Sequence, residues 1–144
     1  LLRPMQMLRM LTQQVRQKVL NAFVWHGGIA TYYRGLTCDR AAAPLGLDAF
    51  ELIGTGVSML DVAFVEGRLA PYLELRLVPE VPSAMPPEIF RLGRLPRQAF
   101  EKHDGQHSLG HLLSLYDPGE ARDAFVRMTY LLVETGLLRA EADD

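Results

Sequence analysis

The sequence predicts an α+β fold, mainly α, arranged as two winged-helix-like lobes with a small antiparallel β hairpin or sheet. Three observations carry this. Apolar residues recur at steps of three and four through residues 5–23 and again through 121–132, which is the helical period. Strand-like composition is confined to two short runs, 29–34 and 73–79. Prolines cluster at Pro79, Pro82, Pro86 and Pro87. Because proline stiffens a connector and removes a donor, this stretch divides the chain into an N-terminal helix–strand lobe, 1–81, and a C-terminal helical lobe, 82–144. With 144 residues, 49% of them hydrophobic and 22% charged, the chain can bury a core without a disulfide or a metal.

The first helix has Leu8, Leu11, Val15, Val19 and Phe23 on one face and Gln13, Gln14, Arg16, Gln17 and Lys18 on the other. Pro4 suits its first turn, and Trp25-His26-Gly27-Gly28 stops it. Residues 29–34, β-branched and aromatic, read as a strand ending at Gly35, with a partner at 36–38 or 73–78. Residues 40–46 read as a loop. A short helix over 47–53 has Asp48 in its first turn and breaks at Gly54-Thr55-Gly56. Ser58 then caps a second helix over 59–69, which Pro71 ends. Residues 73–79 alternate as a strand.

The second lobe reads as three helices. Residues 96–103 form the first, closed by Asp104-Gly105. Ser108 caps the second, 109–115. Asp117 caps the third and Pro118 opens it, with a stripe of Ala121, Ala124, Phe125, Met128, Leu131 and Leu132 that ends at Gly136. Residues 137–139 and a fraying acidic tail follow. Three helices with a glycine-containing turn give the helix-turn-helix or winged-helix layout.

Catalytic and metal chemistry find little support. His103, His107 and His111 are spaced four and four, but Asp104-Gly105 separates the first from the others. His107 and His111 lack the intervening glutamate of a zinc-protease helix. They read as packing and capping residues, with adventitious nickel or zinc binding as the other reading. Cys38 is the single cysteine; it reads as a small residue near a strand end, and an enzyme built on it would show a thiol reactive below its usual pKa of about 8.5. Gly54-Thr55-Gly56 lacks the third glycine of a dinucleotide fingerprint and the lysine of a phosphate loop. The four serines, Ser58, Ser83, Ser108 and Ser114, sit in no nucleophile elbow. Asp61 and Glu66 read as solvated surface charges. The expectation is a protein without catalytic residues, cofactor or resident metal.

Charge is uneven: residues 1–40 carry net +5, residues 41–81 net −4 and residues 82–144 net −3. No signal peptide and no apolar run long enough to span a membrane is visible, so the cytoplasm is the expected compartment. The start at Leu1-Leu2-Arg3-Pro4 predicts a piece of a longer protein. A DNA-reading helix needs cations, and 107–115 has no lysine or arginine. Nucleic acid is therefore the weaker reading, kept as a winged-helix transcriptional regulator whose binding would fall steeply with salt. The favoured reading is binding to another protein or to another domain of the parent chain, with a homodimer left open. Trp25, Tyr32, Tyr33 and Arg34 have hot-spot composition, and Arg9, Arg16 and Lys18 would form an electrostatic rim.

Four segments also occur in a suggestive order. They are Trp25-His26-Gly27-Gly28-Ile29-Ala30-Thr31-Tyr32-Tyr33, Leu52-Ile53-Gly54-Thr55-Gly56-Val57, His103-Asp104-Gly105-Gln106-His107-Ser108-Leu109, and Leu131-Leu132-Val133-Glu134-Thr135-Gly136-Leu137-Leu138. This succession resembles the PATAN-type regulatory domains of bacterial signalling proteins over most of residues 8–139. The resemblance implies a non-catalytic interaction module in signal transduction, in the setting of motility or polarity control, and transfers no catalytic residue.

Overall fold

A computed structural model describes residues 3–25, 27–29, 31, 33–35, 45–83 and 85–141. It is α+β and mainly helical, as the periodicity predicts. The order is α1 (Pro4–Ala22), α2 (Ala49–Ser58), α3 (Val62–Leu69), a 3-10 turn (Ala70–Tyr72), β1 (Arg76–Pro79), a second 3-10 turn (Pro87–Phe90), α4 (Leu95–Lys102), α5 (Leu109–Ser114), α6 (Glu120–Glu134) and β2 (Leu138–Glu141).

α6 is the central helix. Phe125, Val126, Met128, Thr129, Leu131 and Leu132 are all buried on it, and it packs against α2, α3, α4 and β2. The core continues through Val65 and Leu69 of α3, Leu77 of β1, Phe90, and Leu109 of α5. Residues on both sides of the proline stretch thus share one apolar interior. The sheet joins them as well: β1 and β2 run antiparallel with Leu77 opposite Ala140 and Val78 opposite Arg139. One strand comes from each segment, so the sheet belongs to neither half alone.

Several sequence expectations give way here. Residues 29–34 are not a strand where they are described: Ile29, Thr31 and Tyr33 lie outside regular structure and Arg34-Gly35 is a turn. A β-prone segment needs a ladder partner, and β1 is taken by β2, with Arg76 bridging to Ser108. The alternative partner at 36–38 lies outside the described residues, as do Cys38 and most of the loop at 40–46. Ala140 and Glu141, the start of the tail expected to fray, instead belong to β2, and the Glu80 amide donates to the Leu137 carbonyl beside it at 2.9 Å; residues 142–144 lie outside the described residues.

α2 does not break at Gly54-Thr55-Gly56 but runs through to Ser58. The two glycines allow close approach: a Cβ on Gly54 would lie 2.7 Å from the Phe90 carbonyl oxygen, and one on Gly56 would lie 2.5 Å from the Phe23 ring. Ser58 caps nothing; its hydroxyl donates back to the Gly54 carbonyl at 2.9 Å. Asp61 starts α3, accepting from the Ala63 and Phe64 amides at 2.9 and 3.2 Å. Glu66 is not merely solvated but pairs with Arg122 at 2.5 Å. The N-cap of α6 is Gly119, not Asp117. Asp48 and Ser108 do cap α2 and α5.

Candidate functional site

α1 differs from every other long helix of the fold. Gln6 returns to the Arg3 amide at 2.9 Å and closes its first turn, and Pro4 sits at the first position, where no amide is needed. The helix docks on α2 through its inner face. Arg16 pins that contact, bonding Glu51 of α2 at 2.5 Å. Glu51 also accepts from the Thr55 hydroxyl at 2.9 Å. The Arg16 hydrogen bond, reinforced by Thr55, holds the Glu51 carboxyl below its ordinary range against the opposing cost of desolvation.

Along its whole length α1 buries only Leu20. Met5, Met7, Met10 and Leu11 are exposed by half or more. Met7 and Leu11 continue at helical steps through Gln14, Lys18 and Ala22 toward Trp25, forming a second stripe distinct from the face on α2. Just past the C-terminal end of α1 lies a recess of about 440 Å³ lined by Phe23, Val24, Trp25, Met59, Leu60, Asp61, Phe64 and Arg127. Trp25 is 70% exposed, and Val24, Met59 and Phe64 are about half exposed. Arg127 donates to the Leu60 carbonyl at 2.8 Å, which fixes the floor of the recess. A concave wall of tryptophan, methionine, phenylalanine and arginine is the composition of an interface core.

Of the residues singled out from sequence, Trp25 sits at this recess. Tyr33 is exposed at 66% and Arg34 is exposed beyond it. Among the described residues no hydrogen bond, ion pair or ring contact joins either of them to Trp25. Tyr32 lies outside the described residues. Arg9 and Lys18 are both exposed on α1, but nine residues apart they lie on opposite sides of the helix, so they do not form one rim. Arg16 is not a rim cation, because Glu51 occupies it. Met59 and Phe64 were missed. A continuous helix over 59–69 puts Met59 at its start and Phe64 within it; the break between α2 and α3 that sets them beside Trp25 is signalled by Asp61, an N-cap residue type two positions after Met59.

The histidines divide. His103 ends α4 and is 1% exposed, with Nε2 3.0 Å from the Thr129 hydroxyl and its ring stacked on Phe125 at 5.3 Å. Its Nδ1 is buried without a hydrogen-bond partner among the described residues. Burial lowers its pKa to about 4, so it is neutral at pH 7. His107 and His111 stack on each other at 4.8 Å, and among the described residues no group of three metal-ligating side chains converges. A second cleft, about 490 Å³, lies between α4 and α6. Its Lys102 ammonium sits over the Tyr116 ring at 4.4 Å and bonds the Tyr116 hydroxyl, so that cation is already engaged. Among the described residues no helix is long and apolar enough to cross a membrane.

No protein-family model matches the chain, and no curated protein and no solved structure matches it either.

Proposed function

We propose that this chain is a non-catalytic protein–protein interaction module of a bacterial cytoplasmic signalling or motility and polarity regulator. The observation that carries the reading is the exposed apolar recess walled by Val24, Trp25, Met59 and Phe64. Solitary exposed apolar residues are ordinary, whereas a contiguous patch with a recess is a docking feature. The resemblance to PATAN-type regulatory domains adds the signalling setting. In this reading Trp25 anchors the contact, Tyr33 and Arg34 extend it, and Arg9 and Lys18 steer approach.

The test is capture from lysate of the source organism with the purified chain, with and without nuclease. A stoichiometric protein partner is expected to survive nuclease and to be lost, by at least tenfold, with Trp25→Ala plus Phe64→Ala while the circular dichroism melt is preserved. Retention of nucleic acid alone, or a partner indifferent to that double variant, would overturn the reading. Tyr33→Ala with Arg34→Ala should weaken capture less than the recess variant, since neither residue contributes to the recess.

A further inference from the structure

We infer that a small apolar cavity between α3, α5 and α6 is a binding site for a single uncharged apolar molecule of about benzene's size. This site is separate from the Trp25 recess, and it goes beyond the protein-recognition reading without resting on it.

Three features carry it. The first is size. The cavity measures about 140 Å³, close to the roughly 150 Å³ at which an apolar protein cavity stays dry and takes benzene or xenon. It is too small for a helix or a peptide segment, and it shares no lining residue with the Trp25 recess or the cleft between α4 and α6. The second is chemistry. Its apolar walls are Leu69 of α3, Leu73, Leu113 of α5 and Val126 of α6, of which Leu69, Leu113 and Val126 are buried. The polar side chains on it, Glu66 and Arg122, bond each other at 2.5 Å. Each charge is met by the other, so neither calls for a polar ligand. The Leu73 carbonyl is taken by the Gly110 amide at 2.8 Å. Water inside would be short of the two to four polar partners it needs, whereas an apolar molecule supplies the dispersion contacts that the leucine and valine methyls lack. The third is rigidity. A void closes only as far as its walls can move. The Leu109 amide donates to the Leu75 carbonyl at 3.0 Å, which together with the Gly110 bond ties α5 to residues 73–75. A Cβ on Gly110 would lie 3.1 Å from the Leu73 carbonyl oxygen, so that approach is already tight. On the other side the Glu66–Arg122 pair spans α3 and α6. These ties fix the walls, and the space is preformed.

The full chain, with isotope-labelled methyl groups, would be titrated with xenon, with benzene, and with pyridine as benzene's polar isostere, and followed by nuclear magnetic resonance. Xenon and benzene are each expected to shift the methyl resonances of Leu69, Leu73, Leu113 and Val126 together, along one saturable curve. Benzene should also raise the melting temperature, as any ligand of the folded state does. Pyridine should bind about tenfold more weakly or worse, because its nitrogen would be buried without a partner. Leu73→Phe fills the space from its half-buried wall and should abolish the xenon shifts at Leu69, Leu113 and Val126. Val126→Ile, one methylene larger, should weaken benzene several-fold, and it keeps the test open if Leu73→Phe does not fold. Four outcomes would each overturn the site: no methyl response to benzene or xenon, equal binding of pyridine and benzene, shifts centred on Met59 or Met128 of the two larger hollows, or unchanged binding in a folded filling variant.

Discussion

α1 and α6 are the two longest helices, both are amphipathic in sequence, and they end in opposite circumstances. α6 buries six side chains in 15 residues, and α1 buries one in 19. Each fully buried aliphatic or aromatic side chain contributes about 1.5–3 kcal/mol, so α6 is held by the core it organises. Most helical stability in proteins comes from packing of an amphipathic face and not from propensity, so α1 depends on its inner face against α2 and on the Arg16–Glu51 pair. The contrast teaches that a periodic stripe reports an apolar face, not what covers it. On α6 the cover is the rest of this chain; on α1 the outer stripe is left open.

The sharpest check is to make the same substitution on each helix. Leu132 is fully buried on α6, and Leu11 is half exposed on α1. Leu132→Ala should lower unfolding free energy by about 4 kcal/mol, and Leu11→Ala by less than about 0.5 kcal/mol, both read from denaturant melts. Equal losses would erase the distinction.

Acid separates the two helices next. His103 is buried between α4 and Phe125 of α6, with its pKa lowered to about 4. The unfolded chain therefore binds a proton between pH 6.5 and 4 that the folded chain refuses, and stability falls as pH drops through that window. The loss amounts to about 3 kcal/mol at its acid end. Glu51, also lowered, adds to the loss below its unfolded value of 4.5. Replacing His103 by glutamine should flatten the curve of melting temperature against pH between 6.5 and 4, and an unchanged slope would sink the assignment.

A smaller effect tests the packing of α2, on which α1 docks, against the segment at Phe90. Gly54→Ala places a Cβ 2.7 Å from a backbone carbonyl that cannot swing aside. It should cost about 2 kcal/mol despite alanine's better helix propensity. Stabilisation by this substitution would mean that α2 is not closely packed on the segment at Phe90.

How much of this was legible in the sequence depends on where each cause lies. α1, α4, α5 and β1 follow from local signals: spacing, Pro4, Ser108 and the alternation at 73–79. β2 does not, because Leu138-Arg139-Ala140-Glu141 is strand only through its ladder with β1. The run through Gly54 and Gly56 was hidden for a related reason. Glycine in isolation argues against helix, and only the approach of Phe90 and Phe23 explains its use there. At the site, Trp25 was legible as an exposed aromatic, and Arg9 and Lys18 as an unopposed charge. The engagement of Arg16 by Glu51 and the alignment of Met59 and Phe64 beside Trp25 are tertiary facts that no local window contains.

The pairing of β1 with β2 has a consequence for how the chain is made. Residues 80–137 lie between the two strands, so the ladder is a long-range contact that forms late, after the loop entropy of that interval has been met. On the ribosome, Leu77 and Val78 emerge long before Ala140 and Arg139, the residues that close against them. Until then β1 presents a bare edge, the kind that invites intermolecular pairing. Pro79 at the end of β1 and the prolines that follow at Pro82, Pro86 and Pro87 cannot donate to an intruding strand. The proline-rich connector thus limits stray pairing of a nascent chain until the strand that pairs with β1 has been synthesised.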